Sequence, residues 1–172
     1  MLTLILGGAR SGKSALAERL ANDSGLDVVY IATAQALDGE MASRIAHHRA
    51  RRPSSWSLVE EPLALAATLR EHARDGRVVL VDCLTLWLSN LLGDAEPRLE
   101  TERAAFLDAL PGLPGDIVFV SNETGLGITP MGELTRRFVD EAGRLHQALA
   151  HRCDRAIFVA AGLPLILKGT LP

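Results

Sequence analysis

The segment with the most chemical information is a glycine-rich stretch early in the chain. Its eight residues satisfy the pattern GxxxxGKS, and they are Gly7, Gly8, Ala9, Arg10, Ser11, Gly12, Lys13 and Ser14. Glycines in such a stretch let the backbone curl so that successive N–H groups point at phosphate oxygens. An apolar run precedes the stretch and a helical pattern follows it, which is the context of a phosphate-binding loop. We therefore predict a bound nucleoside triphosphate, with Lys13 on its β- and γ-phosphates and the Ser14 hydroxyl on Mg²⁺.

A carboxylate that could complete the magnesium site follows an apolar run in the middle of the chain. The run Val78–Val81 is typical of a buried strand, and Asp82 ends it. An aspartate in this position can hold Mg²⁺ directly or through water. Many strands end in aspartate simply because it forms turns. The metal role is therefore predicted from the pair, Asp82 together with the glycine-rich stretch.

A second chemically interesting segment carries two adjacent histidines among arginines, within Arg44–Pro53. At about 100° per residue in a helix, His48 falls on the apolar side, whereas His47 falls on another side with Arg44 and Arg51. Guanidinium groups can hold a polyphosphate, and a neutral imidazole can attack phosphorus. A solvated basic helix face explains the same residues equally well.

The elements that must position these residues alternate between two patterns. Short apolar runs typical of buried parallel strands lie at Thr3–Leu6, Val28–Ala32, Val78–Val81, Ile117–Val120 and Ala156–Ala160. Helical patterns lie at Lys13–Asn22, Gly39–His48, Leu63–Arg74, Thr85–Leu92, Glu100–Leu110 and Glu133–His151. This alternation predicts an α/β fold, with a mostly parallel sheet flanked by helices and right-handed crossovers. No linker divides the chain, so residues 1–172 are predicted to form one domain.

Composition narrows the class of protein. The chain is 48% hydrophobic and 23% charged with a formal net charge of -3, which argues against disorder and gives no basic excess for nucleic acid. No apolar segment approaches the roughly 18 residues of a membrane span, and the opening apolar run lacks the basic flank of a signal peptide. Cys83 and Cys153 form no CxxC pair and are predicted to be small buried residues. We expect a cytoplasmic protein.

Several segments together resemble one family, the bifunctional adenosylcobinamide kinase / adenosylcobinamide-phosphate guanylyltransferases. They follow the family's order and are Gly7–Ser14, Tyr30–Ala34, Asp38–Pro53, Trp56–Glu60, Leu80–Asn90, Val120–Pro130, Phe138–Gln147 and Ala161–Pro164. The resemblance implies a RecA-like P-loop NTPase fold, a homotrimer and two reactions. In the first, adenosylcobinamide takes a phosphoryl group from ATP or GTP. In the second, GMP passes from GTP to the cobinamide phosphate through a guanylylated histidine.

The resemblance also assigns roles to residues. The guanylylated histidine corresponds to His47, which joins Lys13 as a catalytic residue. Further nucleotide-binding positions implied by the family are Ala32, Thr33, Ala34, His48, Arg49, Ala50, Arg51, Glu60 and Asp82. Asn122 and Glu123 match a family motif without an assigned step. The family pattern carries asparagine where this chain has His146. His72, His146 and His151 are interpreted as surface or structural residues.

Two other functions remain open from the sequence. One is a small-molecule kinase in which the histidine segment only clamps the substrate, which predicts phosphoryl transfer without a covalent nucleotide adduct. The other is a nucleotide-gated binding module, which predicts slow hydrolysis and a partner bound only in the loaded form. The chain lacks an NKxD guanine-specificity motif, which disfavours the second. The preference for ATP or GTP in the kinase step is not decided by the sequence.

Overall fold

A single sheet organises the part of the chain that the computed structural model describes, residues 1–35, 39, 52–94 and 96–171. Seven strands in these ranges hydrogen-bond in the order β3-β2-β4-β5-β1-β6-β7. Their bounds are β1 Leu2–Gly7, β2 Asp27–Ala32, β3 Ser57–Glu60, β4 Arg77–Asp82, β5 Asp116–Asn122, β6 Arg155–Ala160 and β7 Leu163–Lys168. All neighbouring pairs are parallel except β6 and β7. The carboxyl ends of six strands therefore meet along one side of the sheet, called here the carboxyl edge.

Helices cover both faces of the sheet, as expected for a parallel sheet whose strands are apolar on both sides. Their bounds are α1 Lys13–Asp23, α2 Leu65–His72, α3 Leu84–Gly93, α4 Glu96–Ala109 and α5 Glu133–Arg152. One core includes alternate residues of the central strands with buried residues of α2 to α5. The other core, on the opposite face, includes the intervening strand residues and α1. No helix in the described ranges is long and apolar enough to cross a membrane.

The aromatic residues of the larger core form a short stack. The rings of Trp87 and Phe106 lie 5.1 Å apart, and those of Phe106 and Phe119 lie 5.4 Å apart edge to face. All three side chains are fully buried. Because the chain has few aromatics, leucine, isoleucine and valine supply most of the remaining packing. This stack joins α3 and α4 to β5, a strand whose end contributes to the candidate site.

The structure confirms the predicted α/β class and the mostly parallel sheet, and it adds two edge strands that the sequence analysis missed. β3 is only four residues long, and β7 carries Pro164, which is tolerated at a sheet edge. The helix predicted at Leu63–Arg74 is shorter than expected. The carboxylate of Glu61 accepts hydrogen bonds from the amides of Leu63 and Ala64, and the helix begins only at Leu65. The helix predicted at Gly39–His48 lies outside the described residues, apart from Gly39 itself.

Candidate nucleotide-binding site

The phosphate loop, residues 7–14, connects β1 to α1 and is held by backbone geometry rather than by side-chain caps. Gly12 stands at the helix N-cap with φ 98, and Arg10 has φ 55. The Ser11 amide donates to the Gly8 carbonyl at 3.2 Å, and the amide of Gly162 donates to the Ser11 carbonyl at 2.8 Å. The first amides of α1 have no partners within the helix and carry the positive end of its dipole. The loop thus presents backbone donors to an anion.

Close packing explains where glycine is required in this loop. A Cβ on Gly7 would lie 2.5 Å from the Ser11 hydroxyl and 2.5 Å from the Val159 carbonyl oxygen. A Cβ on Gly8 would meet nothing within 4 Å, so the loop is open on that side. The Ser11 hydroxyl is buried and has no hydrogen-bond partner in the described structure. A buried hydroxyl without a partner suits a loop that receives phosphate oxygens.

Lys13 is the buried cation of the loop. Its side chain is largely covered, and its ammonium donates to the Gly8 carbonyl at 3.0 Å. Burial lowers the pKa of Lys13 below its ordinary value, while the negative charge of Asp82 acts in the opposite direction. A buried ammonium is attracted to a bound anion more strongly than an ammonium exposed to water, because the surroundings screen the charges less. The position therefore favours electrostatic neutralisation of a triphosphate.

Asp82 ends β4 and is oriented by a tyrosine from the neighbouring strand. The Tyr30 hydroxyl donates to Asp82 Oδ2 at 3.0 Å. The charge of Asp82 acts on the pKa of Lys13, so the carboxylate lies within electrostatic range of the phosphate loop. Mg²⁺ in nucleotide sites takes few protein oxygens and completes its shell with phosphates and water. The Ser14 hydroxyl and the Asp82 carboxylate fit that requirement, and no cluster of three or more acidic, histidine or cysteine ligands occurs in the described ranges.

A buried polar network joins the ends of β2, β4 and β5 beside this carboxylate. The Thr33 hydroxyl donates to the Cys83 carbonyl at 2.7 Å and accepts from the Cys83 amide at 3.0 Å. The Thr85 hydroxyl lies 3.2 Å from Cys83 Sγ and accepts from the Asn122 amide group at 3.0 Å. Burial raises the pKa of Cys83 to about 11, so its thiol stays protonated. The network fixes three strand ends to one another.

The strand register shows which predicted residues share the carboxyl edge. Ala32 lies opposite both Glu60 and Asp82 in the sheet, and Gly7 lies opposite Asn122. The next residue after Ala32 is the buried Thr33, followed by Ala34. The predicted positions on β2, β3 and β4 therefore lie along the same carboxyl edge as the phosphate loop. The remaining predicted residues fall outside the described part of the chain, namely His47, His48, Arg49, Ala50 and Arg51.

A further polar pair lies beneath the start of the loop that follows β5. His146 on α5 is buried, and its Nε2 lies 2.7 Å from the hydroxyl of the buried Ser121. Its Nδ1 lies 3.9 Å from the carboxylate of Glu123, whose amide donates to the Gly7 carbonyl at 3.0 Å. Burial lowers the pKa of His146, and Glu123 opposes that shift. The interpretation of His146 as a structural residue agrees with this position.

Sequence reasoning missed the partners that surround Asp82. Tyr30 and Arg52 received no role, although Arg52 Cζ lies 4.0 Å from the centroid of the Tyr30 ring. The sequence contains only a weak indication of a role for Tyr30, which is the single tyrosine of the chain and lies within the apolar run Val28–Ala32. A polar tip on a buried strand residue needs a hydrogen-bond partner. The strand order that supplies this partner could not be deduced from the local pattern.

The fold and the loop define the class of protein: a P-loop NTPase with a mostly parallel sheet flanked by helices. Among solved structures, the RadB recombinase is similar with a TM-score of 0.52 and 21% sequence identity, covering 91% of this chain and 73% of that chain. At this level of identity the similarity establishes the fold alone. It confirms the predicted α/β fold with a mostly parallel sheet flanked by helices.

The chain belongs to the cobinamide kinase / cobinamide phosphate guanyltransferase family, whose model matches residues 3–167. It is 68% identical to the bifunctional adenosylcobalamin biosynthesis protein CobP of Pseudomonas aeruginosa, over 98% of each chain. It is 40% identical to the bifunctional adenosylcobalamin biosynthesis protein CobU of Escherichia coli, over 98% of this chain and 100% of that protein. The family resemblance predicted from the sequence segments is confirmed.

Proposed function

We propose that this chain catalyses both reactions named by its family, first as a cobinamide kinase and then as a cobinamide phosphate guanylyltransferase. The observation that carries the proposal is the match of the family model across residues 3–167. The phosphate loop supports it, because both reactions need a triphosphate held by backbone amides and a buried lysine. We propose adenosylcobinamide as the acceptor, GTP as the guanylyl donor and either ATP or GTP as the phosphoryl donor.

In the first reaction the hydroxyl oxygen of the aminopropanol arm attacks the γ-phosphorus. The bond from that phosphorus to the β–γ bridging oxygen breaks, a nucleoside diphosphate leaves, and the hydroxyl proton passes to solvent or a nearby base. Such a displacement needs alignment and charge neutralisation more than covalent chemistry. Lys13 and the amides of the phosphate loop supply the neutralisation.

In the second reaction an imidazole nitrogen of His47 attacks the α-phosphorus of GTP. The bond to the α–β bridging oxygen breaks, pyrophosphate leaves, and GMP is held as a phosphoramidate. A phosphate oxygen of the cobinamide phosphate then attacks the same phosphorus, the P–N bond breaks, and adenosylcobinamide-GDP forms. Covalent catalysis divides a difficult displacement between two anions into two steps. Arginines near His47, such as Arg49 and Arg51, would offset charge on the departing pyrophosphate.

Ser14 and Asp82 are the residues we propose to hold Mg²⁺ with the triphosphate. When bound, the ion would neutralise the charge that develops on the phosphate oxygens. Tyr30 restrains one oxygen of the Asp82 carboxylate, which leaves Oδ1 for the cation. The polar network at Cys83 restrains the backbone on the other side of Asp82. These restraints keep the metal ligand in place before the nucleotide binds.

The test of the transferase half is covalent labelling. The full chain is incubated with Mg²⁺ and GTP labelled at the α-phosphate, without acceptor, and separated under denaturing conditions. We expect an acid-labile label that is absent in His47→Ala and is discharged from the wild-type protein by cobinamide phosphate. The matched control is His151→Ala, an exposed histidine on α5, which should label as the wild type does.

Three outcomes decide the matter. Label that persists in His47→Ala contradicts the assignment of the nucleophile. Phosphorylation of cobinamide without any adduct would leave a plain kinase, the first alternative raised by the sequence. Hydrolysis without any acceptor product would favour the nucleotide-gated module instead.

We also propose a homotrimer from the family resemblance, which sedimentation of the purified chain would test.

A further inference from the structure

Tyr30 connects two parts of the molecule that the proposed function treats separately. It lies in β2 with only 4% of its surface exposed, on the sheet face covered by α1. Its hydroxyl donates to Asp82 Oδ2 at 3.0 Å, and its ring faces the guanidinium of Arg52, whose Cζ is 4.0 Å from the ring centroid. One side chain therefore contacts both the proposed magnesium ligand and the chain that returns from the histidine segment.

The position of Arg52 in the sequence gives this contact its importance. Arg52 follows His47 by five residues, and five residues span at most about 18 Å. Holding the Arg52 guanidinium against Tyr30, whose hydroxyl reaches Asp82, limits how far His47 can lie from the proposed magnesium ligand. A guanidinium over an aromatic face is attracted by the negative face of the ring, and its planar shape suits stacking. The contact is suited to anchor the end of the segment.

The hydroxyl of Tyr30 acts on a different group. The buried Tyr30 hydroxyl donates a hydrogen bond to Asp82 Oδ2 at 3.0 Å. A carboxylate with one oxygen held in this way has less freedom to turn away from the cation. The ring and the hydroxyl thus perform separable tasks.

We propose that Tyr30 is a positioning residue for both reactions, in which the ring anchors the His47 segment through Arg52 and the hydroxyl orients Asp82 toward the metal–triphosphate. The inference rests on the proposed function, because it takes His47 as the nucleophile and Asp82 as a metal ligand. A tyrosine that serves only as core packing would tolerate phenylalanine without any change in metal dependence. The two tasks can be separated by substitution.

Three variants separate them. Tyr30→Phe keeps the ring and removes the hydroxyl. The Mg²⁺ concentration for half-maximal kinase rate should then rise about three- to tenfold, as expected for the loss of one hydrogen bond.

Arg52→Ala removes the anchor, so the initial rate of histidine labelling should fall about tenfold while kinase turnover changes less than twofold. Arg52→Lys keeps the charge without the planar group and should recover only part of the labelling rate. Arg98→Ala, an exposed arginine of α4, is the matched control.

A spectroscopic readout avoids dependence on activity. The chain has a single tyrosine, so protein labelled with ¹³C-tyrosine should give one set of ring signals. In the nucleotide-free protein Arg52→Ala should shift the ring carbons, and Asp82→Asn should shift the carbon that bears the hydroxyl. Calorimetric titration with Mg²⁺ and GDP should show the same three- to tenfold loss for Tyr30→Phe that the kinase assay shows.

The outcomes distinguish this inference from the proposed function. If the wild-type chain forms no adduct with labelled GTP, the transferase half of the proposed function fails. If the wild type labels normally and Arg52→Ala labels at the same rate, the anchoring role is wrong while the proposed function stands. If Tyr30→Phe leaves the metal dependence and the Mg²⁺–GDP affinity unchanged, the orienting role is wrong. Thermal unfolding of each variant identifies any that lose both activities through simple destabilisation, and that pattern also overturns the proposal.

Discussion

The phosphate loop and the cluster around Asp82 stand side by side at the carboxyl edge, but they are built in different ways. The phosphate loop is local: eight consecutive residues set its course, with positive φ at Arg10 and Gly12. The Asp82 cluster is non-local, since Tyr30, Arg52 and Asp82 come from separate parts of the chain. The conformation of the phosphate loop is encoded largely in its own eight residues, with Gly162 bracing it from a distance, whereas the cluster exists only when the sheet is assembled. Substitutions should therefore act differently in the two regions.

The largest effect is expected at Lys13. Lys13→Ala removes the buried cation that we propose neutralises the triphosphate, so both kinase turnover and histidine labelling should fall at least about 100-fold. Steady-state kinase assays and the labelling experiment measure the two losses. The chain has only one other lysine, and Lys168→Ala is the natural control, because its ammonium bonds the carbonyls of Ala150 and His151 at the end of α5. Full kinase turnover in Lys13→Ala would show that the loop does not serve the kinase step.

Gly12→Ala tests whether the backbone of the loop is as important as its lysine. Gly12 has φ 98, and an added Cβ would lie 3.1 Å from Gly162 Cα. The left-handed conformation alone should cost about 1–2 kcal/mol of unfolding free energy, and displaced amides should weaken GTP binding about tenfold or more. Gly76→Ala is the matched control, with φ 75 and open space around the added atom. Denaturant unfolding should show similar strain in both variants, and calorimetry should show lost affinity only in Gly12→Ala. Equal GTP affinities of Gly12→Ala and Gly76→Ala would show that the backbone conformation at Gly12 is not important for binding.

Thr33→Val tests the non-local region. The valine would leave the amide and the carbonyl of Cys83 without their buried partner, which should lower the unfolding free energy by about 2–3 kcal/mol. Because Cys83 adjoins Asp82, the Mg²⁺ concentration for half-maximal rate should rise as well. Thr68→Val is the control, since Thr68 is also buried but bonds only the Ala64 carbonyl within its own helix turn. If Thr33→Val and Thr68→Val lost the same unfolding free energy, the polar network at Cys83 would have no special role in stability.

His146→Asn should have the smallest effect on activity, and its characteristic signature is the pH dependence of stability. The pKa of His146 is lowered in the folded chain, so the unfolded chain binds the proton more readily. The contribution of His146 to the free energy of unfolding is therefore fully present above its ordinary pKa near 6.5. It is lost as the pH falls through the lowered pKa of the folded chain. Replacing the imidazole should flatten this decline by up to about 1.4 kcal/mol per pH unit.

Urea unfolding of His146→Asn at a series of pH values measures the slope. His151→Asn, an exposed histidine on the same helix, should leave the slope as it is in the wild type. An unchanged slope in His146→Asn would mean that the imidazole already binds its proton in the folded chain.

The features that could be predicted from the sequence are the local ones, and those that were missed depend on the assembled sheet. The phosphate loop, Asp82 and the central strands were predictable because periodicity and spacing are local signals. β3 was too short for a clear pattern, and in β7 the proline masked a strand that pairs only on one side. The contact between Tyr30 and Arg52 depends on the strand order β3-β2-β4 and on the path that returns to β3. No window of sequence contains that information.

The hydrogen bond from Gly162 to Ser11 has a consequence for synthesis of the protein. It links residues about 150 positions apart, and β1 itself pairs with β5 and β6, which also come late in the chain. The ribosome therefore releases the glycine-rich turn long before the strands that brace it exist. Since contacts this distant form slowly, we expect the phosphate loop to bind nucleotide well only after β6 and Gly162 have emerged. Nucleotide is then expected to stabilise the finished protein rather than to guide the nascent chain.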